Sequence, residues 1–129
     1  MLPEGDHPKL GASARTLGVR VPRDIEPDQN GDVQPGSRGM SVAPSLRDLP
    51  VEWVPKRLKH LREGAIGPDT SKVWRHGEGR FETARVAPHL MLRPDRPDHG
   101  NVAPEVAMQL TQYENAIAQT RSDWVIDER

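Results

Sequence analysis

Three polar residues carry the chemistry that this sequence offers. Arg20 lies in LGVRV, Ser41 follows the glycine-bearing stretch QPGSRGM, and His99 stands in DHGNV. Each sits at the edge of an otherwise apolar run. A guanidinium can hold a phosphate through two parallel hydrogen bonds, and an imidazole can take or give a proton near neutral pH. A hydroxyl beside them can meet a ribose or an amide. Together such groups suit a phosphorylated or ribose-bearing ligand. Gly36 and Gly39 add a loop whose backbone a ligand can approach closely.

Competing constellations are missing. There is no HExxH, no GxSxG elbow, no P-loop and no GxGxxG. His7, His60, His76, His89 and His99 are scattered, and no metal site is assigned to them. The absence of cysteine removes thiol catalysis, thiolate metal sites and disulfides together, and it fits a reducing cytoplasm. The DQNGD stretch at 28–32 looks like the start of a calcium loop but lacks the remaining ligands, so it is read as a turn with Asn30-Gly31 at its tip. With 18 basic against 19 acidic residues, the charge balance argues against a nucleic-acid binder. No apolar run approaches the length of a membrane span, and the first residues have no secretory core.

The elements that must position these groups follow from pattern. Residues 1–14 are polar and rich in Gly and Pro and read as a flexible arm; 15–129 read as a single α+β domain. A strand is expected at 17–21, ended by Pro22, and others at 72–75, 90–93, 99–102 and 123–127, the last with Trp124 and Ile126 on one face. A short helix with a basic side is expected within 51–62. The strongest pattern is a helix over 104–120, where Val106, Leu110, Tyr113 and Ile117 share one stripe and Pro104 suits the first helical position.

The segments TLGVRVP, GSRGMSVAP, VAPHLMLRPD and HGNVAPEVAM, in that order, resemble the ADP-ribosyltransferase-like toxins of bacterial type VI secretion systems. The resemblance spans roughly residues 16 to 120 and rests on order more than identity. It implies a compact ADP-ribosyltransferase-like fold with a small bent, split β core and a C-terminal amphipathic helix. It also implies NAD as substrate, a cytoplasmic target and a cognate immunity protein as partner. Arg20 would match the first-strand arginine, Gly39 and Ser41 the glycine loop and its hydroxyl, and His99 the histidine before the last helix. No Glu-x-Glu or Gln-x-Glu signature is assigned, which leaves Glu105 and Glu128 as candidates for the catalytic glutamate. The alternative is a non-catalytic immunity or adaptor protein that binds through the basic helix and exposed tryptophans.

Overall fold

A four-stranded antiparallel sheet organises the chain, as seen in a computed structural model that describes every residue except Ser37. The Ser37 of the expected glycine loop therefore lies outside the described residues. Strands β1 (Pro3–Glu4) and β2 (His7–Pro8) form an opening hairpin. Strand β3 (Asp32–Val33) follows the Asn30-Gly31 turn, in which the Asp28 carboxylate accepts from the Asn30 and Asp32 N–H groups. After β4 (Met40–Val42) come three single turns of 3-10 helix at Leu46–Asp48, Val51–Trp53 and Lys56–Leu58. The chain continues through β5 (Trp74–His76), β6 (Ala84–Ala87), β7 (Leu90–Arg96), β8 (His99–Pro104) and β9 (Met108–Gln109). Helix α1 (Leu110–Gln119) and β10 (Trp124–Ile126) complete it. The main sheet runs β4-β8-β7-β6, while β3 pairs with β9 and β5 with β10. The class is α+β, as expected.

Alternation along β8 sets the two faces of the sheet. Val102 and Pro104 point to the core, opposite Met40 of β4 and Leu90 and Leu92 of β7. Helix α1 closes that core with Tyr113, Ala116 and Ile117. The Tyr113 hydroxyl donates to the Val102 carbonyl and accepts from the Met40 N–H, so one buried oxygen ties the helix to both strands. A smaller core of Val54, Leu58, Ala65 and Val73 lies under the 3-10 turns.

Several expectations are corrected. The helix begins at Leu110 rather than 104, because β8 stays paired with β7 as far as Pro104 and β9 then pairs with β3. Val106 accordingly lies outside the helix and is 56% exposed. The cap is Gln109, whose side chain accepts from the backbone of Gln112 while the Gln112 side chain accepts from the Gln109 N–H. The 17–21 segment is no strand; Leu17 makes one isolated bridge to Leu10 and Val19 is buried, and the chain turns at 21–24. The expected 51–62 helix is broken into 3-10 turns flanked by Pro50 and Pro55. Strand β7 runs through Pro94, which is tolerated because β6 pairs no further along it than Leu92. In β10 Trp124 and Ile126 share a face as expected, but only Trp124 is buried and Ile126 is 46% exposed.

Residues 1–14 are not a loose arm. Pro8 is fully buried, and the Arg121 guanidinium donates to the Pro8 and Glu4 carbonyls. The Met1 carbonyl accepts from the Trp74 indole at 2.9 Å and from the Lys72 N–H. Backbone groups, more than apolar area, hold this segment down, which composition cannot reveal.

Candidate functional site

The second face of the main sheet collects the polar residues. Ser41 of β4 stands directly opposite Asn101 of β8, and Asn101 stands opposite Arg93 of β7. Residues opposed in an antiparallel ladder share a face, with Cβ atoms about 5 Å apart. His99 lies two residues before Asn101 on β8 and so points the same way. The β4–β8 register puts it diagonal to Ser41, at roughly 7–8 Å. Ser41 is exposed, His99 and Arg93 are half-buried, and Asn101 and Ala103 between them are buried.

His99 is held by Asp95, with Nδ1 and Oδ1 2.7 Å apart. That hydrogen bond is the main cause holding the Asp95 carboxyl below the usual carboxylate range. An ionised carboxylate only accepts, so Nδ1 carries the proton and a neutral ring presents a bare Nε2. Among the described residues Nε2 has no hydrogen-bond partner. The pair therefore supplies an oriented proton acceptor on the face that carries the Ser41 hydroxyl.

Arg20 is not part of this row. It lies on the 20–24 segment, where Nε and Nη2 donate to the two Asp24 oxygens at 3.1 and 2.9 Å. Its guanidinium carbon also lies 5.9 Å from the Trp53 ring centroid. The segment does dock beside β4, since the Asp24 carbonyl accepts from the Gly39 N–H, yet the charged group is committed to Asp24. Among the described residues no hydrogen bond or ion pair joins Arg20, Ser41 and His99 to one another. Gly39 also serves its own chain. A Cβ there would lie 2.4 Å from the Val102 carbonyl and 2.8 Å from the Tyr113 hydroxyl, so the close approach it permits is to β8 and α1.

Neither candidate glutamate stands beside His99. Glu105 lies six residues further along the chain, about 20 Å at strand rise, and it faces Arg85 at 3.6 Å. Glu128 is gripped by Arg57 through both carboxylate oxygens and also accepts from the Val73 N–H. The Arg57 hydrogen bond holds the Glu128 carboxyl below its ordinary value. A depressed acid contributes stability that is present above its unfolded value and lost as pH falls through the folded one. Melting temperature is thus expected to drop as pH is taken below about 4.5, and Glu128→Gln should flatten part of that decline. An identical acid limb in the variant would show that the pair contributes nothing.

Two shallow hollows lie elsewhere on the surface. One of about 340 Å³ is lined by Ile25, Pro27, Asp28, Gln34 and Arg38, the other of about 490 Å³ by Arg15, Glu52, Trp53, Lys56 and Ile66. Neither includes Ser41 or His99. No group of three or more His, Asp or Glu gathers to hold a metal among the described residues. Nor, among them, is any helix long and apolar enough to cross a membrane.

Compared with known proteins, the chain matches no family model, no curated protein and no solved structure. Arg93 is the member of the second sheet face that sequence reasoning missed. Its signal was present in the alternation of LMLRP, which sets Arg93 on the face opposite Leu90 and Leu92, but that reading needs the strand's partners to be known.

Proposed function

We propose that this chain is a toxin-type effector with an ADP-ribosyltransferase-like fold, acting on NAD or a nucleotide-bearing target inside a cell. The observation that carries the reading is the exposed Ser41 hydroxyl and the Asp95-held His99 imidazole on one sheet face. In such a reaction the bond between ribose C1′ and the nicotinamide nitrogen breaks, and nicotinamide leaves with the electron pair. A nucleophile then adds at C1′, and its proton passes to a base. His99 Nε2 is the acceptor placed to receive that proton, and Ser41 can hold a ribose hydroxyl. A cognate immunity protein belongs to this reading as the partner that protects the producing cell.

Part of what the interaction-protein alternative relies on is engaged within the fold, while Lys56, Lys59 and His60 stay exposed. Trp124 is buried and Trp53 and Trp74 are half-buried. Arg57, the centre of the basic segment, is spent on Glu128, Asp69 and Ser71, and Arg62 donates to the Leu49 carbonyl.

The test is induced expression in a bacterium with growth and cellular NAD followed together. The wild-type chain should arrest growth and deplete NAD. A folded His99→Ala variant should lose on the order of 100-fold or more in rate, the usual share of a positioned acid or base. A His99→Ala protein with wild-type circular dichroism and undiminished toxicity would sink the proposal.

A further inference from the structure

The anion-gripping residue expected at Arg20 has another occupant. Arg93 lies on the same face as Ser41, in the cross-strand row Ser41–Asn101–Arg93. Its Nε is closed off from solvent and has no hydrogen-bond partner. Among the described residues its guanidinium makes no ion pair. A guanidinium is rarely left with a desolvated, unanswered N–H, because a buried donor without an acceptor is costly. Other arginines in the fold show the ordinary solution. Arg20 has Asp24, Arg57 has Glu128, Arg75 has Asp127, and Arg85, on the same face as Arg93, has Glu105. Arg62 shares the closed-off Nε, but its Nη2 donates to the Leu49 carbonyl, an answer that Arg93 lacks among the described residues.

We propose that Arg93 is the residue that grips the pyrophosphate of a nucleotide ligand, with Ser41 and His99 placed on the ribose end of the same molecule. This inference rests on the reading of the second sheet face as a nucleotide site. A planar guanidinium matches two phosphate oxygens at once, and a partly desolvated one gives up less hydration to do so. The ligand class follows: a diphosphate-bearing nucleotide. A residue of this kind is retained at some cost to the fold, so its removal separates binding from stability.

The experiment measures binding of ADP-ribose and of inorganic pyrophosphate to the whole chain by calorimetry, alongside thermal melting. Arg93→Gln is expected to weaken both ligands by about 10- to 100-fold, as loss of a charge-assisted hydrogen-bond pair does. Its melting temperature should stay equal to or above that of the wild type. Arg93→Lys should recover part of the affinity, and Arg85→Gln should change neither ligand. Loss of affinity with an unchanged melt supports the proposal. Undiminished pyrophosphate and ADP-ribose affinity in Arg93→Gln overturns it and leaves the nucleotide reading standing. Wild-type binding of pyrophosphate without ADP-ribose, lost in Arg93→Gln, supports Arg93 as the anion site and removes the nucleotide reading. Binding of neither ligand by the wild type overturns both.

Discussion

Gly39→Ala is expected to destabilise the chain by about 3 kcal/mol or more, seen as a large fall in the urea midpoint. The added methyl would meet the Val102 carbonyl at 2.4 Å and the Tyr113 hydroxyl at 2.8 Å. Backbone cannot yield as a flexible side chain can, so β4 would have to move away from β8. That movement opens the hydroxyl latch, in which Tyr113 serves both the Met40 N–H and the Val102 carbonyl. Tyr113→Phe isolates the second part of the effect. It keeps the ring in place and strands one buried donor and one buried acceptor, at about 1–3 kcal/mol for each group. A Gly39→Ala midpoint matching the wild type would mean that the β4–β8 pairing is far softer than its geometry implies.

Deleting residues 1–8 is the second change with a large expected effect. It removes the buried Pro8, both acceptors of Arg121 and the carbonyl that meets the Trp74 indole. With net hydrogen bonds at about 1 kcal/mol each and the lost apolar burial added, the loss should reach about 3–5 kcal/mol. For a chain of this size that lowers the melting temperature by about 10 °C or more. Differential scanning calorimetry of the truncated chain checks it, and an unchanged melt would return these residues to the status of a loose arm.

The sequence made the α+β class and several of its parts legible. Strands at 72–75, 90–93 and 99–102 carry period-two alternation, and each has a counterpart shifted or extended by a few residues. The helix was legible from Leu110 onward, through Tyr113 and Ile117, because its stripe is a local property. Its first six residues were misread for a tertiary reason. Pro104, Glu105 and Val106 have the chemistry of a helix start, but pairing with Leu90 claims Pro104 for the sheet. The opening hairpin was illegible since its anchors, Lys72, Trp74 and Arg121, are remote in sequence.

The same divide runs through the candidate site. Ser41 and His99 were named from type and setting, and the register sets them on one face. Arg20 was named as the phosphate group, yet Asp24, four residues on, engages it on both oxygens. That pairing was open to inspection, whereas the solitude of Arg93 was not. An unanswered charge can be recognised only after every neighbour has been placed.

Strand β5 is held by the two ends of the chain at once. The Met1 carbonyl accepts from the Trp74 indole on one side, while β10 pairs along its length and Asp127 N–H donates to the Val73 carbonyl on the other. During synthesis, then, the middle of the chain emerges with one clasp ready and the other not yet made. Trp74 and Val73 must wait for residues 124–127 to leave the ribosome before their edge is covered. Closing so long a loop is entropically slow, so the nascent polypeptide elongates at least as far as β10 without a sealed β5. Sealing of β5 is thereby deferred until β10 has emerged, when both clasps can close together.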